Sequence, residues 1–259
     1  MMKRGISKIN TIIILVVSLI ILLSIEAPLL AKLLSKEKDE RCAATAAVHK
    51  ATKVGILGGD SSPVPIECPR TYISFYPDHL EIDQKKTPIA IADGNKKIIV
   101  DSYKALNSQV VFPVLAERMR ICWKNFGEAT GAVFDRKAVS YYNMCVFCAQ
   151  IKIEGTKNQK SISLGGTTEG LFVDYLTQAS MPFSDKKYYS YFTNNLKYNP
   201  FLFYTQQIEP GKNYYLVYHN IVGYDNAILS GSDDFHISIL DEKQLMDNKN
   251  MLKCDVMYG

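Results

Sequence analysis

The chain has 259 residues, 47% of them hydrophobic and 22% charged. That composition belongs to one ordinary globular domain or two small ones and excludes disordered, collagen-like and coiled-coil chains. The formal net charge is +4, but Lys3, Arg4 and Lys8 supply three of those charges, so the rest of the chain is close to neutral and no nucleic-acid partner is expected on charge grounds.

Thr11 to Ile25 is fifteen residues without a charge, and the flank before it holds three basic residues and no acid. Fifteen helical residues span roughly 22 Å, short of a hydrocarbon core of about 30 Å. Continuing through Leu34 supplies the missing length, with Glu26 and Lys32 near the outer interface and Pro28 kinking the helix without ending it. Two readings compete. A cleaved signal peptide needs a small-x-small site, and only Ala31 stands near the right place; a retained anchor is favoured. Basic flanks stay cytoplasmic, which gives a single-pass plasma-membrane protein. Residues 1–34 are the cytoplasmic start and the anchor, meeting the lipid bilayer through 11–34. Residues 35–65 are a stalk and hinge, and 66–259 an extracytoplasmic domain.

Lys3-Arg4-Gly5-Ile6-Ser7 places a basic pair and a glycine just before the apolar run. In this it resembles the start of archaeal type IV pilin-like proteins, whose class III signal is cut after the glycine while the helix is kept. The resemblance implies processing after Gly5 and an alternative role as a minor pilin-like subunit, with Ile6 to Leu34 in a filament core.

The run from Lys36 to Arg41 reads as a solvated helical turn, and Cys42 to Val54 is Ala-rich and helix-permissive, so an extended stalk helix is expected. Gly55 to Pro65, with three glycines and two prolines, is the hinge; no Lys-Ser/Thr follows its glycines at phosphate-loop spacing. Thr71 to Tyr76, Leu80 to Asp83, Ile89 to Ile91 and Lys97 to Val100 are strands of an antiparallel meander. Val111, Leu115, Met119, Cys122, Trp123 and Phe126 recur at helical spacing, with Glu117, Arg118, Arg120 and Lys124 on the opposite side and Gly127 closing the helix. Pro113 suggests a start there or an irregular first turn.

Met144 to Ile153 is a strand with an expected partner at Ser161 to Leu164. Thr167 or Thr168 can cap a short helix through Thr177, and Asp185 another through Phe192. Phe201 to Gln206, Tyr214 to His219 and Phe235 to Leu240 complete the sheet, with a turn at Glu209 to Lys212. The fold class is α+β: an N-terminal transmembrane and stalk helix, then a mainly antiparallel sheet domain with a packed helix, stapled by disulfides.

All six cysteines, Cys42, Cys68, Cys122, Cys145, Cys148 and Cys254, lie beyond the anchor on the side expected to be oxidising, which reads as up to three disulfides. Fifteen pairings are open. On a strand Cys145 and Cys148 point to opposite faces, so they should take different partners. The preferred pattern sets one of them against Cys122, closes the hinge with Cys42 and Cys68, and ties the last strand back through Cys254. A redox reading of Cys145-x-x-Cys148 needs its first thiolate at a helix N-terminus, and both flanks look like strand. Zinc lacks a second CxxC, and His49, His79, His219 and His236 show no ligand spacing to the first. Asp233-Asp234-x-His236 could hold a cation but reads better as a polar turn. No triad elbow, metalloprotease or dinucleotide fingerprint occurs, and no catalytic, cofactor or metal residue is assigned.

Fourteen of the 28 aromatic residues lie between Phe172 and Tyr218. Most suit a core or half-buried sheet; the alternative is a surface groove for sugar or peptide at Tyr188, Tyr191, Tyr214 and Tyr218.

Four segments taken together carry a second resemblance: Cys68-Pro69-Arg70-Thr71-Tyr72, the helix from Ala116 to Glu128, the Cys145-x-x-Cys148 strand and the segment from Gly211 to Val217. They look like an uncharacterised family of single-pass surface proteins of small-genome (DPANN-type) archaea. The family implies the architecture and an archaeal origin, and no activity. The leading expectation is a non-enzymatic surface domain with a structural or binding role, a protein or glycan partner at the cell surface and scope for homo-oligomers. The alternatives are the pilin-like subunit and an exported thiol-disulfide oxidoreductase using the CxxC.

Overall fold

The computed structural model describes residues 38–56, 59–93, 96–126, 142–155, 160–165, 171–182, 184–193, 200–203, 205–222, 234–247 and 254–258. The anchor expected at 11–34, the processing site at Gly5, the caps at Thr167 and Thr168, Gly127 and Asp233 lie outside these residues. No helix among the described residues is long and apolar enough to cross a membrane.

Lys38–Ala51 forms α1, with Asp39 and Glu40 in its first turn and His49 and Lys50 in its last, as the helix dipole favours. The segment expected as an extended stalk packs on the domain here. Cys42, Ala46 and His49, spaced by four and three, make a buried stripe. Thr45 Oγ1 accepts from the amide of Glu67 at 3.1 Å, so the helix is fastened to the chain that follows it. Within the expected hinge, β1 (Val54–Ile56) and β2 (Gly59–Ser61) pair as a short antiparallel hairpin.

The main sheet is built around one long strand, β8 (Tyr142–Ile153). Its apolar residues run nearly without interruption from Met144 to Ile153, as expected for a strand covered on both faces. Along one edge β8 pairs antiparallel with β12 (Asn213–Val222), which pairs antiparallel with β13 (Asp234–Asp241). Along the other edge two short strands share it end to end. β3 (Thr71–Phe75) takes Ala149 to Ile153 and β14 (Cys254–Tyr258) takes Asn143 to Val146, both in parallel. β4 (Leu80–Ile82) and β5 (Lys85–Lys86) extend the β3 side, and β10 (Phe201–Phe203) closes the far side against β13. The sheet is thus mainly antiparallel, with three parallel pairings.

The expected meander is divided. β6 (Ile89–Asp93) and β7 (Lys96–Val100) form their own two-stranded sheet, because Pro88, which has no N–H, stands where β5 would pass into β6. The segment at Ser161 to Leu164 does not pair with β8, whose edges are already filled; its strand β9 (Ile162–Ser163) pairs with β11 (Gln207–Ile208).

Helix α2 (Ser108–Asn125) starts five residues before Pro113 and runs through it. The proline removes one bond to the carbonyl of Gln109, an exposed residue that water can satisfy. Helices α3 (Leu171–Gln178) and α4 (Tyr188–Thr193) pack beside it. α4 begins later than a cap at Asp185 would give, because Ser180 and Lys187 are joined in a β-bridge first. A fifth helix, α5 (Glu242–Asp247), is set by a capping box. Asp241 Oδ1 accepts from the Gln244 amide at 2.6 Å, and Gln244 Oε1 accepts from the Asp241 amide at 3.0 Å.

At two turns beside the sheet the backbone enters the left-handed region, as it also does at Gly165. Glu209 to Lys212 forms a turn with Gly211 at φ 79° after Pro210, the arrangement of a type II turn. Asp83 and Gln84 have φ 52° and 64°, the signature of a two-residue type I′ hairpin between β4 and β5, here without a glycine. Asp83 offsets that strain by accepting from the Tyr72 amide at 3.0 Å and from Lys38 Nζ at 2.7 Å.

Candidate functional site

The six cysteines form Cys42–Cys68, Cys122–Cys148 and Cys145–Cys254, and none is free. Strand alternation explains the partition of the CxxC pair. Cys148 points toward α2 and meets Cys122, whereas Cys145 points to the back of the sheet and meets Cys254 on the neighbouring β14. Two of the bridges, Cys42–Cys68 and Cys122–Cys148, line one small void of about 20 Å³ together with Asp39, Arg118 and Phe147.

Arg118 lies on the charged side of α2 and is nevertheless buried. It is 8% exposed, and its guanidinium donates to Asp39 Oδ1 at 2.5 Å and to Thr71 Oγ1 at 3.3 Å. At Arg118 the side of α2 that reads as polar is covered by α1, which brings its own carboxylate. One turn away, Arg120 donates twice to Glu117, at 2.8 and 2.7 Å, and Tyr188 donates to the same carboxylate at 3.1 Å. The paired carboxylate raises the Arg120 pKa. Burial, with Glu117 beside it, pushes the Tyr175 hydroxyl up to about 12 and Tyr188 well above its ordinary value. Tyr188 therefore stays protonated and donates to Glu117, and with Arg120 it makes a clasp between α2 and α4.

The four tyrosines proposed for a surface groove are mostly interior. Tyr188 is 2%, Tyr214 1% and Tyr218 0% exposed, and only Tyr191 is half-buried. Tyr218 packs against Trp123 and Phe126 with ring centroids 5.8 and 5.1 Å apart, and the Tyr214 hydroxyl accepts from the Glu209 amide at 2.8 Å. Period-two alternation on β12 puts Tyr214 and Tyr218 on the face that α2 covers, which is why they join no groove. Tyr188 and Tyr191 do come together with Arg120.

One sizeable cavity, about 120 Å³, lies between α2 and the β3–β4 hairpin. Ile73, Leu80, Ile82, Ile89, Val114 and Ile121 wall it, with Glu117 and Arg118 as its charged residues. Both charges are already engaged, as described above. Elsewhere, His219 and His236 are opposed on β12 and β13 with their rings stacked 6.2 Å apart, and His79 lies between Asp78 (2.8 Å) and Glu81 (3.4 Å). Among the described residues no group of three or more His, Cys, Asp or Glu is placed to hold a metal ion.

Asp39 is the polar residue of the Arg118 cluster that sequence reasoning did not single out. Asp39 and Arg118 are 79 positions apart, and no local pattern links them. The capping box at Asp241-x-x-Gln244 did carry a readable local signal for α5. No family model, curated protein or solved structure matches the chain.

Proposed function

We propose that the chain is a membrane-anchored extracytoplasmic protein whose α+β domain has a structural or binding role at the cell surface, without catalysis. The observation that supports this best is the oxidation state: all six cysteines are consumed in three bridges. Such a set of disulfides persists in oxidising compartments and is rare in a reducing cytosol. The basic flank and uncharged run of residues 3–25 supply a route to that side of the membrane. The architecture agrees with a recognition or scaffold role, since the polar clusters of α2 are occupied by intramolecular partners. An archaeal surface protein of the family that the four segments resemble fits the same reading.

The thiol oxidoreductase alternative has less support. A CxxC cycle makes and breaks one disulfide within the motif, whereas Cys145 and Cys148 hold two different partners on opposite faces of β8.

The test is fractionation of the native cells with protease shaving. The expected result is a chain extracted from membranes only by detergent and cleaved by protease added to intact cells. A chain recovered in the soluble cytosolic fraction and protected from external protease overturns the reading. Recovery in sheared filaments with an N-terminus at Ile6 replaces it with the pilin-like alternative.

A further inference from the structure

Lys38, the first residue of α1, sits on the tip of the β4–β5 hairpin. Its ammonium donates to Asp83 at 2.7 Å and to the carbonyl of Arg70 at 3.1 Å, and it lies 5.5 Å over the ring of Tyr72. Leu34 ends the apolar run, and the four residues from there to Lys38 reach at most about 14 Å, whatever path they take. The surface around Lys38 is therefore tethered within that distance of the end of the anchor.

What this surface presents suits a bilayer interface. Tyr72 is 49% exposed on the outward side of β3, and it is the aromatic among the exposed large apolar residues described. Tyrosine is enriched at membrane interfaces because its ring is apolar and its tip is wet. Gln84, Lys85 and Lys86 are also exposed. Lys85 and Lys86 are adjacent on β5, so their side chains leave opposite sides of the hairpin and straddle its tip. The acids nearby are engaged: Asp83 by Lys38, Asp39 by Arg118 and Glu67 by Arg41, while Glu81, which stands opposite Lys86 on the hairpin, and Asp78 both face His79. Lysines on an edge strand also discourage strand addition, a role that Tyr72 does not share.

We propose that Lys38, Tyr72, Gln84, Lys85 and Lys86 form a docking surface for anionic phospholipid headgroups, which holds the domain in a fixed orientation directly on the bilayer. The proposal rests on the anchored reading above. It replaces a domain raised on a stalk with one that lies against the membrane through the free edge of its sheet.

The experiment uses the full-length protein in nanodiscs of phosphatidylcholine alone or mixed with phosphatidylglycerol, and measures modification of each lysine by a water-soluble amine reagent. Lys212 is the internal control. It belongs to the Glu209–Lys212 turn, at the end of the strands where Gly211 bonds Ile153, away from the hairpin tip. Headgroup attraction of the usual strength per lysine gives about fivefold protection of Lys85 and Lys86 in the anionic discs. That protection should vanish in high salt while Lys212 is unchanged. Protein that co-elutes with the discs but labels equally at Lys85, Lys86 and Lys212 in both lipids overturns the docking surface alone. Protein that does not co-elute with the discs overturns the anchored reading and the docking surface together.

Discussion

The two faces of the central sheet are held by different means. On the front, α2, α3 and α4 press a continuous aromatic layer against β8, β12 and β13. Trp123 meets Phe192 and Tyr218 edge-on, and Phe172 sits among Phe112, Tyr175 and Phe203. Among the described residues the buried apolar set on the back is small: Cys145, Phe147, Tyr215, Val217 and Leu240, with Leu245 of α5 and Cys254 against it. There the structure adds what packing alone lacks, namely the Cys145–Cys254 bridge and the Arg70 guanidinium lying 5.0 Å over Phe147 and 5.6 Å over Tyr215. Apolar area sets which device is needed. Where a helix layer supplies it, shape holds the fold; where one short helix and a terminal strand must suffice, a covalent bond and a cation–π contact contribute.

That contrast can be broken from either side. Trp123→Ala, at a site 1% exposed, should remove about 4 kcal/mol by leaving a large front-face cavity. Denaturant melting checks this, and a loss under 1 kcal/mol would mean the front layer is loosely packed. Replacing Cys145 and Cys254 together by serine opens a loop of 109 residues and should lower stability by roughly 3 kcal/mol. The same double change at Cys122 and Cys148, which close a loop of 26 residues under the full front core, should lower it less. An equal loss at the two bridges would remove the distinction between the faces.

Alkaline pH sharpens the front-face account. Tyr175 titrates at its ordinary 10 when unfolded and at about 12 when folded, so the unfolded chain releases its proton first. Stability from this group is complete below pH 10 and lost as pH rises toward 12, where it amounts to about 2 kcal/mol. Tyr175→Phe should flatten that part of the pH–stability curve in equilibrium unfolding. The smallest expected effect is on the back: Arg70→Ala should remove about 1 kcal/mol through the lost cation–π contacts, with little change in the near-ultraviolet signal of Trp123.

Local signals were legible in the sequence and long-range ones were not. The alternating runs of β3 and β13, the continuous apolar runs of β8 and β12 and the helical spacing of α2 follow from residues that neighbour each other along the chain. So does the opposite facing of Cys145 and Cys148, which settles that they take separate partners. The burial of Arg118 was hidden, because its cover is α1, a helix whose own sequence reads as solvated and Ala-rich. The tyrosines of β12 looked available for a ligand because composition records rings without recording faces. The hairpin at Asp83-Gln84 carries no Asn-Gly signal; its left-handed residues are held by Lys38 and Tyr72, which come from two other parts of the chain. What was missed is in each case a contact whose partner is distant in sequence.

The redox state of the cysteines in protein taken from its native membrane is the decisive quantity. Alkylation in denaturant without reductant, followed by intact mass, should add no alkyl group to the detergent-extracted protein, and alkylation after reduction should modify every cysteine. Modification of every cysteine without prior reduction would contradict an oxidised domain outside the cell.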